Sequence, residues 1–242
     1  MTRKLAIVGM GKMGRAIADL APSRGWEVAA CLHRGDVEAG ITREALNGAD
    51  VAVEFTVPHA VPKIIRALAS AGCPAVVGTT GWYDELPALR ALVESENGAL
   101  LTATNFSVGV NIFEQIVEVA SRLLGRAPAF SAQIVETHHA AKLDAPSGTA
   151  LTLRKTASIA WGDGPDGAAR EIPIASVRTG SIPGTHEFIF DAPFEQIHLE
   201  HIARDRRVFA EGALVAAGWL IGKKGNFTMR DVLSTAQPEE KS

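Results

Sequence analysis

Apolar and polar positions in the first hundred residues follow two alternating periods. Lys4–Val8 is a short apolar run, and glycines separate it from Met13–Leu20, where the apolar spacing is helical. Val28–Leu32 and Asp50–Phe55 are the next strand-like runs. Ala60–Ala71 follows as a helix with Pro62 in its first turn, then Pro74–Val77 as a strand, Glu85–Glu94 as a helix and Ala99–Thr102 as a strand. Strand, helix, strand at this spacing predicts crossover units and an α/β fold built on a doubly wound parallel sheet. Such sheets bind ligands beyond the carboxyl ends of their strands. The loops Gly9–Gly14, His33–Arg34, Thr56–Pro58, Gly78–Gly81 and Ala103–Ser107 are therefore expected to line one crevice.

The pattern then changes. Asn111–Leu124 has the spacing of an amphipathic helix, Phe130–Glu136 of a strand, and Thr149–Trp161 of a helix, followed by a polar, glycine-rich loop through Gly162–Arg170. Three sheet-forming runs come next: Ile172–Arg178, Thr185–Phe190 and Phe194–His201. In the last, Ile197 and Leu199 alternate with Gln196, His198 and Glu200, the period of a strand with one wet face. Val208–Ile221 returns to helical spacing. This predicts an inserted α+β domain with a mixed or antiparallel sheet at residues 108–206, and a first domain made of residues 1–107 plus 207–242. The inserted strands are too few to close their own core, which predicts pairing across subunits. The polar tail Gln237–Ser242 is expected to fray.

Composition narrows the partners. Of 242 residues, 47% are hydrophobic and 21% charged, as in ordinary globular proteins. Basic residues number 24 against 27 acidic ones, a formal net charge of −3 that offers no global field for nucleic acid or an anionic membrane. Neither is expected as a partner. No apolar run reaches the roughly 18 residues of a membrane span; the longest candidate, Ala213–Gly222, stops at Lys223 and Lys224. The opening MTRKLAIVGM turns into a glycine loop before it supplies the apolar segment of a secretory leader. Cys31 and Cys73, both in apolar contexts, exclude a disulfide framework and a cysteine zinc site, and they point to a reducing cytoplasm.

Two segments carry chemistry. Gly9-Met10-Gly11-Lys12-Met13-Gly14 is G-x-G-x-x-G directly after a strand and opening a helix. Its bare glycines let backbone amides approach a pyrophosphate at the positive end of the helix; the bland reading is an ordinary glycine turn. About 20 residues on, where dinucleotide sites usually carry an acid, stand His33 and Arg34, with Asp36 a little later. Arg34 is either a solvated loop charge or a contact for a 2′-phosphate. The second segment, Glu136–Thr149, reads ETHHAAKLDAPSGT. His138 can hold or pass a proton near neutral pH, and Lys142 can meet an anion or a developing negative charge. Ser147 is a candidate helix cap, Gly148 exposes its amide and Thr149 adds a hydroxyl, together a carboxylate or phosphate site. The competing readings are a structural His138–His139 pair with Ser147 as a plain cap, or a zinc site drawing also on His198 and His201; the expectation is no metal.

The run Glu136–Thr149 resembles the substrate motif of the 4-hydroxy-tetrahydrodipicolinate reductase (dihydrodipicolinate reductase) family, E-x-H-H-x-x-K-x-D-A-P-S-G-T. Phe55–Pro58 is similar to that family's F-T-x-P loop, Gly78–Gly81 to its G-T-T-G loop and Asn105–Asn111 to its N-F-S-x-G-x-N hinge. Val177-Arg178 with Gly184–His186, Phe209–Ala213 and Met229–Leu233 extend the likeness almost to the end. The resemblance implies a Rossmann-type first domain in which Gly9, Met10, Gly11, Lys12, Met13, Gly14, His33, Arg34, Phe55, Thr56, Gly78, Thr79, Thr80, Ala103, Thr104, Asn105 and Phe106 hold a nicotinamide dinucleotide. It implies His138 as general acid/base, Lys142 as proton donor, and His139, Ser147, Gly148 and Thr149 as holders of a dicarboxylate substrate. It also implies a homotetramer serving diaminopimelate and lysine synthesis. This chain departs from the family in three places. The glycine loop is one residue shorter than G-x-x-G-x-x-G, Gly162–Ile172 is shortened, and His33 replaces an acid common in the family. The last change removes a repulsion, so NADPH is expected to be preferred, with NADH still usable. Two rival functions are a related oxidoreductase on another acidic imine or amino acid, and a non-catalytic dinucleotide sensor.

Overall fold

Along β1 (Arg3–Val8) the side chains alternate between two cores: Leu5 and Ile7 enter one, Ala6 and Val8 the other. A strand buried on both faces is the mark of a parallel sheet covered by helices on each side. The structure is a computed structural model and describes residues 2–127, 129–163 and 170–234. The shortened Gly162–Ile172 stretch lies partly outside the described residues, and the tail Gln237–Ser242 lies wholly outside them.

From β1 the chain continues through α1 (Lys12–Leu20), β2 (Trp26–Leu32), α2 (Arg34–Ala39), β3 (Val51–Glu54), α3 (Val61–Ser70), β4 (Ala75–Val77), α4 (Leu86–Ser95) and β5 (Ala99–Thr102). There follow α5 (Val108–Leu124), β6 (Ser131–His138), α6 (Gly148–Trp161), β7 (Ile174–Arg178), β8 (Thr185–Ala192) and β9 (Glu195–Ile202). The described chain ends with α7 (Arg207–Leu220), β10 (Gly225–Phe227) and α8 (Met229–Ser234). It divides into two compact units, Met1–Val108 with Arg207–Ser242, and Gly109–Arg206.

In the first unit six parallel strands lie in the order β10-β5-β4-β3-β1-β2. The fold is Rossmann-type, as the alternation of periods predicts. Ile17 of α1 and Ala213, Ala216, Ala217 and Leu220 of α7 cover one face, while Ile64, Ile65 and Leu68 of α3 and Leu89 of α4 cover the other. All five expected loops follow the carboxyl ends of their strands. Three elements were not anticipated. α2 is a six-residue helix that starts at His33–Arg34, where a loop was expected, and β10 and α8 follow the last expected helix.

The second unit is a four-stranded mixed sheet in the order β7-β6-β8-β9. β6 pairs parallel with β7 and antiparallel with β8, and β8 pairs antiparallel with β9. Its core joins Ala132, Ile134, Phe188 and Phe190 of the sheet to Phe113 and Val117 of α5 and Leu153, Ala157 and Trp161 of α6. Each fully buried Val, Leu, Ile or Phe among them contributes about 1.5–3 kcal/mol. Leu199 of β9 packs against this core, but Ile197 is exposed, so the expected dry face of β9 is only partly covered. β6 runs two residues further than expected, and His138 is its last residue.

Candidate active site

Register builds the site of the second unit. Ile134 faces Phe188 across β6 and β8, whereas the next row on that face sets Glu136 beside His186 and Ser176, with His201 beyond. A further step pairs His138 with Arg178. The face that begins as apolar core thus ends as a buried polar cluster, because residues two apart share one side of a strand.

Glu136 is fully buried and is its centre. Its Oε1 accepts from Arg178 Nη2 at 2.6 Å and from the Ser147 amide at 3.3 Å, and its Oε2 contacts His138 Nδ1. Burial pushes this carboxyl up, but the hydrogen bonds from Arg178 and Ser176 and the neighbouring His138 outweigh it and hold it at about 2. Burial lowers the pKa of His138 below its ordinary value; Glu136 opposes this, while Lys142 and Arg178 reinforce it. His186, pushed down to about 4 by burial and by His138, reaches Ser147 Oγ through Nε2 at 3.2 Å. Lys142 Nζ donates to both carboxylate oxygens of Asp144, at 2.7 and 2.8 Å, which with the positive charge lowers the Asp144 pKa. Ser147 Oγ accepts from the Ala150 amide at 3.2 Å and caps α6, a contact worth about 1 kcal/mol. Gly148 is exposed at that helix start, while Thr149 and His139 are half-buried.

Sequence reasoning named His138, His139, Lys142 and the Ser147–Thr149 turn; the structure sets His138 and Ser147 against Glu136 and pairs Lys142 with Asp144. It had assigned no role to Glu136, Arg178 or His186. The signal for Glu136 was present, since it stands two residues before His138 on one strand. Cys31, read as apolar in context, is exposed; Cys73 is buried and its thiol is pushed up to about 12 by burial. Of the zinc candidates, His198 is exposed and contacts Gln196. Ligand-type atoms of Glu136, His138 and His186 do lie within 4.8 Å of one another, a set not anticipated. Arg178 and His138 already occupy both oxygens of Glu136, and His186 turns its Nε2 to Ser147.

In the first unit the glycine loop fits a dinucleotide. Gly9 has φ of +96°, and a Cβ there would lie 2.3 Å from the Phe55 carbonyl oxygen. Only glycine lets β1 turn so tightly against the loop after β3. A Cβ on Gly11 would meet nothing within 4 Å, and α1 starts just after Gly11 without a side-chain cap or an acid in its first turn. Open space over uncapped amides is what a pyrophosphate requires. Met10 and Met13 turn their side chains into the core, while Lys12 stays exposed. Phe55 and Phe106 meet edge to face at 5.7 Å, bringing the loops after β3 and β5 together. Thr56 and Thr79 both donate to Oε1 of the buried Glu54, a residue not anticipated, and Trp82 Nε1 holds the Thr79 carbonyl at 2.6 Å. Burial raises the Glu54 pKa, against those two threonines. Thr80 and Thr104 are exposed, and Ala103 is half-buried. Asn105 Oδ1 accepts from the Ser107 amide at 2.8 Å. His33 and Arg34 are exposed at the tip of β2, and the Asp36 carboxylate accepts from the His33 amide at 2.7 Å.

Fold and side chains define a class: an α/β dinucleotide-binding unit sharing a chain with a mixed-sheet unit that carries a buried histidine at a strand end and a lysine in the loop that follows, the constitution of a nicotinamide-dependent reductase. The chain belongs to the dihydrodipicolinate reductase family. Residues 3–106 match the family model described as dihydrodipicolinate reductase, N-terminus, and residues 109–233 the one described as its C-terminus. The 4-hydroxy-tetrahydrodipicolinate reductase of Christiangramia forsetii is 35% identical over 237 residues, covering 95% of this chain and 97% of its own. That of Acidiphilium cryptum is 39% identical over 249 residues, with the same two coverages of 95% and 97%. Among solved structures, a dipicolinate-bound dihydrodipicolinate reductase from Paenisporosarcina sp. shares the fold at a TM-score of 0.78 and 24% identity, covering 94% of this chain and 98% of that one. An amine dehydrogenase from Mycobacterium smegmatis shares it at 0.63 and 12% identity, covering 94% of each chain. At that identity the likeness is one of fold alone.

Proposed function

We propose that this protein reduces 4-hydroxy-tetrahydrodipicolinate to tetrahydrodipicolinate with loss of water, a step of diaminopimelate and lysine synthesis. The observation that carries the reading is the segment Glu136–Thr149, which sets a buried histidine and a capped helix start against one carboxylate and holds a lysine in the loop between them. The first unit is the dinucleotide-binding domain, and the second binds substrate and mediates oligomerisation.

The substrate is a cyclic imine with two carboxylates and a hydroxyl. The hydrogen on the carbon between the hydroxyl-bearing carbon and the imine carbon is acidified by conjugation. His138 Nε2 takes that proton, and Lys142 protonates the departing hydroxyl, which leaves as water. When bound, the reduced nicotinamide supplies a hydride to the carbon the hydroxyl has left. His138 then returns its proton to the adjacent carbon, and Lys142 regains one from solvent. One hydride and one proton enter, one water leaves, and no metal is needed because the conjugated imine accepts the electron pair. Gly148, Thr149 and His139 hold the carboxylates, and Lys142 exchanges its Asp144 partner for substrate.

The cofactor is held by the glycine loop, by Phe55 and Thr56, by Gly78–Thr80 and by Ala103–Phe106. NADPH is preferred over NADH, because Arg34 is exposed at the tip of β2 and no carboxylate competes: Asp36 is occupied by the His33 amide. The active form is a homotetramer in the cytoplasm. Among the described residues no helix is long and apolar enough to cross a membrane.

The test is cofactor oxidation followed spectroscopically with freshly made 4-hydroxy-tetrahydrodipicolinate. Wild type should turn over with this substrate. His138→Gln should lose about 10²–10⁴ in turnover, the range of a positioned acid or base, and Lys142→Ala should lose both turnover and binding. Wild type that reduces only another imine or keto acid, or variants that keep near-normal kcat/KM while folded, would refute the proposal.

A further inference from the structure

Proton handling by His138 needs a defined ring tautomer, and the surrounding groups dictate one. We infer that Glu136, held in place by Arg178, is a positioning residue that keeps the His138 proton on Nδ1 and leaves Nε2 as the free lone pair of the ring.

Three observations support this. Glu136 Oε2 contacts Nδ1, and Oε1 is occupied by Arg178 Nη2 and the Ser147 amide, so the carboxylate cannot rotate away without breaking other bonds. An ionised carboxylate has only lone pairs to offer, so in this contact Nδ1 must be the donor. On the other edge of the ring, a Cβ on Gly184 would lie 3.0 Å from His138 Nε2. The glycine keeps that nitrogen clear.

The groups around His138 come from its own strand β6, from β7 and β8, and from the loop after β6. Arg178 on β7 serves Glu136. His186 on β8 lies edge-on to His138 at 5.1 Å between centroids, and its Nε2 is turned to Ser147, so it does not compete for the Nδ1 proton. His201 on β9 lies beyond His186. Lys142 and Asp144 pair with each other. Glu136 is thus the acceptor assigned to Nδ1, and the role resembles that of the carboxylate that orients histidine in hydrolase triads.

The inference rests on the reading of His138 as the proton-handling group, yet it is tested without substrate. Nitrogen-15 spectra of histidine-labelled wild type should show His138 protonated on Nδ1 and bare on Nε2. Glu136→Gln offers an amide that can donate to Nδ1, so the ring should shift toward Nε2–H. Turnover should then fall about 10²–10⁴-fold with KM little changed, and Glu136→Asp should restore part of it. A purely structural Glu136 would lower stability without moving the tautomer. Wild-type His138 carrying its proton on Nε2 overturns the inference even if no variant folds, and so does folded Glu136→Gln with the wild-type tautomer and turnover. Either result leaves the substrate assignment standing, which falls only if wild type fails to reduce that substrate.

Discussion

Arg34 and Glu136 mark the two extremes of what single residues disclosed. Arg34 could be placed from sequence because a strand tip about 20 residues past the glycine loop is where the adenosine ribose is read. Its guanidinium offers a fork suited to phosphate oxygens, and one such contact is worth roughly 1.5–3 kcal/mol, or about tenfold to a hundredfold in affinity. Arg34→Ala should therefore weaken NADPH binding by about that factor and leave NADH almost unchanged, as titration of both cofactors into both proteins would show. An equal loss for the two, or tighter NADH binding in wild type, would sink the assignment. Glu136 stands in the motif that disclosed His138 and Lys142, but its role depends on Arg178, 42 residues away. Nothing local in the sequence announces that partner, because the pairing is a consequence of how β6 and β7 fall into register.

At the scale of elements, legibility followed the length and apolarity of each run. β1, β3, β4 and β5 are buried along most or all of their length, so continuous hydrophobicity revealed them. α2 has six residues with only Val37 buried, and β10 is Gly-Asn-Phe, too short and too polar to show a period. The polar row across β6, β8 and β9 was hidden for a different reason: alternation predicts a dry face, and here the dry face ends in Glu136, His186 and His201. That row has a consequence for acid stability. His186 has an ordinary value of 6.5 and is pushed down to about 4 by burial and by His138. Between those values the unfolded chain binds a proton that the folded one refuses. Its contribution is therefore complete above pH 6.5 and is lost as pH falls toward 4, by up to about 3 kcal/mol. Urea titrations at several pH values should show wild type weakening across this window, and His186→Gln, which keeps a partner for Ser147, weakening less. Parallel curves for the two proteins would show that His186 is not the group responsible.

The whole molecule raises the question of the second face of the mixed sheet. Residues opposite the α5 and α6 side alternate in register, and one row runs Val177, Thr137, Thr185, Ile202 across all four strands. Val177 is 42% exposed and Ile202 58%, while β9 forms an edge of the sheet and Phe194, just before it, is fully exposed. A four-stranded sheet with an open edge and apolar side chains on its uncovered face is a surface that a second copy of the same sheet can cover, and closed symmetry then gives a small even number of subunits. The short strand runs in the sequence lead to the expectation of a partner, and the register of the sheet names the residues that would meet it. Light scattering at micromolar concentration should give four times the chain mass. The double variant Val177→Asp with Ile202→Lys separates an interface from an ordinary surface. Substitutions on a truly exposed surface usually change stability by no more than about 0.5 kcal/mol, so a monomer would tolerate both. In the tetramer the same two charges would be trapped away from water, and the assembly should fall to smaller species while circular dichroism still reports a folded chain. A monomer mass for wild type, or an unchanged tetramer in the double variant, would place the interface elsewhere or remove it.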